Sequence, residues 1–360
     1  MVKKIAVAPQ IGDYQIITDI IINRLLGYKT MKCPPMTKKT MEIGSRHSPD
    51  MICTPFKIIL GSFIECAEKG ANVFIMPGVG CRLGFYDILH KQILEDLGYE
   101  CEMIPLFDYI PTLKRMFTAL NIVNPELTQD EFNTVIEMVI KIVFDMDELA
   151  NKKRLNIAFE INEGEHEKIY KAYLKEVKDS ETLEDAATIG NNYKEKMNNV
   201  KINKPEKPIR IGIVGEIYVI AEPFSNCYLE KWLAENNIEI VHSGDLSTMA
   251  HAIFNLNEQI EQSGGYVDYN IGATANEAIA HAHQMIKDGI DGIIHVKPAS
   301  CSPEITAMTI LQNMSNDYDV PFLYITFDTE TSEAGIHTRL EAFTDMLKQK
   351  FAKQTFNRQS

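Results

Sequence analysis

Three cysteines stand where thiolates could be collected from distant parts of the chain. Cys81 comes four residues after Pro77 in ANVFIMPGVGCR (71–82), Cys301 three after Pro298 in GIIHVKPASCSPE (292–304), and Cys53 lies in SPDMICTPFK (48–57). In the first two segments an apolar, β-branched run ends in proline and then delivers the cysteine. A thiolate there is either a metal ligand or a nucleophile, and its pKa falls at a helix amino terminus, where partial positive charge favours the anion. Ser302 and Thr54 read as helix N-caps, with Pro303 and Pro55 at the first helical positions.

A buried structural thiol is the plain alternative for each cysteine taken singly. Structural zinc usually recruits CxxC knuckles, which this chain lacks. Single cysteines far apart suit an iron–sulfur cluster better, because burial and hydrogen bonds tune its potential. Cys33, in MKCPPMTKKT, follows a strand and is a fourth candidate ligand. Cys66 falls within a helix and Cys101 starts a strand, so both read as core, while Cys227 stays ambiguous.

The elements that must position these residues repeat. KKIAVAPQIGDYQIITDIIINRLLG reads as strand, turn and helix, followed by a strand at YKT, a helix from Pro55 to Gly70, the strand NVFIMP, a helix through DILHKQILEDLG and the strand EMIPLF. From 112 to 207 the chain turns rich in Glu and Lys. Phe132, Val135, Ile136, Val139, Ile140, Val143 and Met146 mark one face of a long helix that opens with the capping box Thr128-x-x-Glu131. A second helix, 165–178, and the linker KINKPEKP complete this helical insert. Strands then alternate with helices again from 208 to 360, ending in a helix through TRLEAFTDMLKQKFAK.

The expected fold is α/β: two Rossmann-like or flavodoxin-like domains with mostly parallel sheets, 1–111 and 208–360, and a helical insert at 112–207. In such sheets ligands bind beyond the carboxyl ends of the strands. Cys81 and Cys301 would then be opposing jaws of one site in the cleft between the domains.

The chain has 360 residues, 36 Lys and Arg against 50 Asp and Glu, and a formal charge of −14, which opposes nucleic acid and anionic membrane surfaces. It shows neither a signal-peptide profile nor an apolar run near membrane length, so a cytoplasmic protein is expected. Seven cysteines in a long chain of that kind argue for reduced or metal-bound thiols. No Walker P-loop and no GxGxxG after a strand occur, which disfavours ATP hydrolysis by this chain.

Residues 32–100, with IGIVGEIYVIAEPFSN (211–226), DGIIHVKPASCSPE (291–304) and TRLEAFTDML (338–347), resemble the 2-hydroxyacyl-CoA dehydratase-type iron–sulfur proteins. Closest are the stand-alone activase-related members, similar to the 2-hydroxyglutaryl-CoA dehydratase D-component. The CTPFK, GCR and CSPE elements carry most of the likeness. By this resemblance Cys53, Cys81 and Cys301 each contribute a thiolate to a [4Fe–4S] cluster whose remaining iron can be open to substrate. An ATP-hydrolysing iron–sulfur activase would supply the electron, and a CoA thioester would be the substrate. The activity implied is that of a lyase or of an ATP-coupled reductase component, and a homodimer is the implied assembly. Cys33 as a fourth thiolate would close the cluster and leave an electron carrier. A double-cubane cluster is the alternative cofactor. A non-catalytic electron-transfer or regulatory protein, with zinc or no metal, is the alternative function.

Around the cysteines, Arg82 and Lys57 could offset the charge of a cluster or of CoA phosphates. Lys38, Lys39 and Arg46 form a modest basic group nearby. Glu304 could serve as a general acid or base, or simply as a first-turn carboxylate of its helix. Glu216, with Glu222, falls at the end of the second domain's first strand and is the other acid–base candidate. His47 and His90 read as solvated or packed.

Overall fold

The computed structural model describes residues 4–76, 85–106, 112–248, 250, 255–272 and 274–359. The chain divides into two compact units, residues 1–146 with 173–190, and residues 147–172 with 191–360. Residues 112–207 are thus shared between the units.

The first unit holds a four-stranded, all-parallel sheet in the order β2-β1-β3-β4, with β1 at Ile5–Val7, β2 at Lys29–Thr30, β3 at Val73–Met76 and β4 at Glu102–Pro105. The second holds a sheet of the same order, β6-β5-β7-β8, with β5 at Arg210–Gly215, β6 at Glu239–His242, β7 at Gly292–Pro298 and β8 at Phe322–Phe327. Two α/β units with parallel sheets are the architecture expected from the alternation of strand and helix. In both, the first strand pairs with the second on one side and the third on the other. This is the strand order of a flavodoxin-like sheet, whose switch point lies between first and third strands.

β3 is buried at every position, and the helix Thr54–Ala67 is apolar nearly all round, as an element inside a core must be. It packs against the helix Lys38–His47, an element absent from the expected order. Two glycines set their closeness: a Cβ on Gly44 would lie 1.7 Å from the Lys57 carbonyl oxygen, and one on Gly61 would lie 2.0 Å from that of Thr40. The Thr128 capping box forms as expected: the Thr128 N–H donates to Glu131 Oε2 at 3.0 Å and the Glu131 N–H to Thr128 Oγ1 at 3.2 Å. Its helix runs Gln129–Asn156.

Period-2 alternation divides the second sheet between two cores. Ile211 and Ile213 of β5 and Ile294 and Val296 of β7 pack with Trp232, Leu340 and Phe343. Val214 and Ile293 pack on the other side with the helices Ala275–Lys287 and Ser302–Tyr318, through Ala278, Ile279, Ala307 and Leu311. His295 and Lys297 alternate with Ile294 and Val296 and so share the face of Ile293.

Candidate functional site

Cys53 and Cys301 occupy the same kind of position, one in each unit. Each is the N-cap of a helix, Thr54–Ala67 for Cys53 and Ser302–Tyr318 for Cys301, with extended backbone (φ −68°, ψ 156° and φ −81°, ψ 98°) and proline in the first turn. The helices start one residue earlier than the Ser302 and Thr54 caps predicted, so the sulfur-bearing residue itself stands at the amino terminus. Both thiols are partly exposed. Cys301 follows β7, the third strand of its sheet, and Cys81 follows β3, the corresponding strand of the other. Cys81 and Arg82 lie outside the described residues.

Aromatic packing supports Cys53. Its sulfur contacts the hydroxyl of Tyr86, at the start of the helix Tyr86–Asp96. Tyr86 meets Phe56 edge to face at 5.0 Å, and the His90 ring lies 4.0 Å from that of Phe56. His90 is fully buried, and its Nε2–H donates to the Phe56 carbonyl oxygen at 3.1 Å. Burial pushes its pKa down to about 3, so the ring is neutral, and the packed reading of His90 agrees. Lys57 extends its ammonium to the Asp50 carbonyl oxygen at 3.3 Å, tying down the loop before Cys53. Lys38 and Lys39 open the preceding helix and Arg46 closes it.

Cys33 is 1% exposed, its sulfur 3.2 Å from the Ala8 carbonyl oxygen and 3.6 Å from the sulfur of Cys66. The contact with Cys66, together with burial, raises its pKa well above the ordinary thiol range. As a fourth ligand it would have to give up both contacts. Cys66 is buried in its helix, as read from sequence; Cys101 is half-buried, and burial pushes it up to about 12.

The surroundings of Cys301 are ionisable. Lys297 is 6% exposed at the end of β7, and burial lowers its pKa against the opposing influence of Cys301 and Glu304. Glu304, three residues after Cys301, is fully buried. Its Oε2 lies 2.8 Å from His295 Nε2 on β7, and its Oε1 accepts from the Thr274 hydroxyl at 3.0 Å. Glu304 is therefore a link between a strand and two helices and not merely a first-turn carboxylate.

Glu216 is the N-cap of the short helix Ile217–Ala221, its Oε2 accepting from the Val219 N–H at 2.9 Å. Gly215 makes the turn into it: φ is +137°, and a Cβ there would lie 1.9 Å from the Val296 carbonyl oxygen, so only glycine fits. Burial pushes Glu216 up to about 7, with the Glu304 charge adding to it, despite backbone N–H groups that favour its ionised form. Glu222 is buried and caps the turn Pro223–Asn226.

Sequence reasoning missed Tyr86, Thr274, Glu277, His295 and Lys297. The alternation of β7 held the signal for two of them, since a lysine and a histidine on a buried face of a parallel strand need partners.

These donors fit an anionic metal cluster: partly exposed thiols at helix amino termini, with a buried lysine beside one of them. Among the described residues no three His, Cys, Asp or Glu side chains converge on a metal position, and the set read from sequence includes Cys81, outside those residues. No helix among the described residues is long and apolar enough to cross a membrane.

The profile of one protein family, described as "2-hydroxyglutaryl-CoA dehydratase, D-component", matches residues 149–347. No curated protein matches. Among solved structures, the chain is similar to a mutant metal-free periplasmic metal binding protein from Candidatus Liberibacter asiaticus, at 10% identity and a TM-score of 0.27 over 96% of this chain and 100% of that one. A putative sugar binding protein from Salmonella typhimurium gives 10% identity and a TM-score of 0.22 over 92% and 79%. Likeness at that level says nothing about function.

Proposed function

Because the chain belongs to the 2-hydroxyglutaryl-CoA dehydratase D-component family, whose profile covers more than half of it, we propose that it is an iron–sulfur protein of the 2-hydroxyacyl-CoA dehydratase type. Cys53, Cys81 and Cys301 would hold one [4Fe–4S] cluster, and an ATP-hydrolysing activase would supply its electron. The observation that carries this reading is the matched placement of Cys53 and Cys301, each the N-cap of a proline-started helix. Such a cluster supplies low-potential one-electron chemistry and, with three thiolates, an iron position open to a CoA thioester.

The residues of this chain divide the remaining work. Tyr86, Phe56 and His90 pack beside Cys53 and keep water from its inner side. Lys297 places positive charge close to Cys301, countering the charge of a cluster, and Lys57 and Arg82 are proposed to add to it. Glu304 and His295 share a hydrogen bond in which a proton can be held between Oε2 and Nε2. Glu216, at about 7, is poised to gain or lose a proton at neutral pH and is the proposed acid–base group with Glu304. Cys33 stays outside the ligand set, its sulfur engaged by Cys66 and the Ala8 carbonyl oxygen.

Anaerobic purification with iron and acid-labile sulfide analysis tests this. About four of each per chain is expected, the content of one cubane. Zinc in their place, or a colourless iron-free protein, would overturn the reading.

A further inference from the structure

Glu277 sits in the first turn of the helix Ala275–Lys287 and is only 5% exposed. A glutamate at this third position normally reaches back to the N-cap N–H. Here it does not: its Oε1 is buried and, among the described residues, has no hydrogen-bond partner. The nearest ring nitrogen, His281 Nε2, is 3.7 Å away, beyond hydrogen-bond reach.

The neighbouring polar groups are engaged elsewhere. Thr274, at the N-cap of this same helix, turns its hydroxyl to Glu304 Oε1 on the adjacent helix, and the other oxygen of Glu304 meets His295. Asp245, after β6, is held by Asn151 Nδ2 at 2.6 Å and Arg154 Nη1 at 2.8 Å. A buried oxygen left without a partner costs about 1–3 kcal/mol, which a bound hydrogen-bonding group would recover.

The surroundings choose the ligand. Glu304 from the next helix and Asp245 from the β6 loop both act on Glu277, and Glu216 couples to Glu304; Lys297 on β7 opposes Glu304 and Arg154 is paired with Asp245, while burial holds His281, on the same helix, toward its neutral form. This field repels an anion. A metal ion would need three converging ligands, which the described residues do not offer. Burial first, and Glu304 and Asp245 after it, push the Glu277 carboxyl up to about 8, against the pull of the helix amino terminus. A carboxyl that keeps its proton has an O–H to donate, and among the described residues no acceptor lies within hydrogen-bond distance of its Oε1, His281 Nε2 standing off at 3.7 Å.

We propose that Glu277 is a neutral carboxylic acid that donates a hydrogen bond to the carbonyl oxygen of a bound thioester. The choice of a thioester rests on the function proposed above; the neutral acid does not. The carbonyl would lie within the group formed by Glu277 and Glu304, in the unit that carries Cys301.

The test uses the full-length chain and, as probe, a neutral short-chain acyl thioester of N-acetylcysteamine. Infrared difference spectra of wild type minus Glu277→Gln at pH 7 should show a protonated-carboxyl band that moves to lower frequency when the probe is added. Probe affinity, read by NMR titration, should fall roughly tenfold in Glu277→Ala, the loss of one hydrogen bond. It should hold within about threefold in Glu277→Gln, whose amide still donates. A missing band, or one that stays put while the probe binds, overturns the inference and leaves the cluster reading standing. A probe that does not bind wild type overturns both the inference and the thioester part of the function. An iron-free chain whose carboxyl band still shifts with the probe keeps the inference and sinks the cluster.

Discussion

The two units share a strand order but support their cysteines by different physics. Around Cys53 the partners are aromatic: Phe56, Tyr86 and a His90 held neutral. Around Cys301 they are ionisable: Lys297, Glu304, His295, and beyond them Glu216 and Glu277. One fold can therefore present a thiol at a helix start either on a packed apolar base or within a hydrogen-bonded polar network. The first arrangement holds its thiol against packed rings, and the second surrounds its thiol with groups that can exchange protons.

The contrast breaks most visibly if packing is removed from the first unit. Phe56 is fully buried, so Phe56→Ala should destabilise the protein by about 3–5 kcal/mol in chemical denaturation at pH 8, where His90 is neutral in folded and unfolded chain alike. A loss under about 1 kcal/mol would show that the aromatic base contributes little. In the second unit, Glu304→Ala leaves His295 Nε2 and the Thr274 hydroxyl without their carboxylate. A loss of about 2–3 kcal/mol is expected.

The smallest effect is the pH dependence that single buried groups contribute, since each unit holds groups of both signs: Asp19 is raised to about 6 in the first and His242 lowered to about 4 in the second, both chiefly by burial. Folded His90, at about 3, refuses a proton that the unfolded chain binds near 6.5, so its contribution is complete above 6.5 and is lost as pH falls toward 3. Glu277 and Glu216 run the other way: at about 8 and about 7 when folded, they keep protons that the unfolded chain releases near 4.5. Their contribution is complete below 4.5 and is lost as pH rises to about 8. Denaturation across pH should show a shallower acid-side slope in His90→Gln, and a shallower neutral-side slope in Glu277→Gln, where Glu216 retains part of it. His242, held at about 4 chiefly by burial, keeps an acid-side slope in both variants. Identical profiles in all three proteins would contradict the assignment.

Much of this was legible before any coordinates. Strand and helix order follow from apolar periodicity, and the Thr128 box announced the long helix. Both cysteine-bearing turns were read as helix starts because proline and a small polar residue mark such starts, and the one-residue offset reflects how weakly sequence fixes a helix boundary. The helix Lys38–His47 does carry a start signal, Thr37, whose hydroxyl accepts from the Thr40 N–H, but its third residue is Thr40 and not the usual Glu or Gln, and the close approach of Gly44 and Gly61 is a tertiary fact. Glu304 was seen, but its linking role was not, since Thr274 and His295 lie 30 and 9 residues away. Cys33 looked like Cys53 in sequence, each ahead of a proline. Only packing shows that its sulfur turns inward to Cys66.

The central claim is that three thiolates, and not Cys33, hold a metal cluster. Iron and sulfide content of anaerobically purified Cys33→Ala, Cys53→Ala, Cys81→Ala and Cys301→Ala, beside wild type, tests it most directly. The account predicts that the Cys53, Cys81 and Cys301 variants lose most of their iron while the Cys33 variant keeps it. Equal iron in all five proteins, or loss confined to Cys33→Ala, would contradict it.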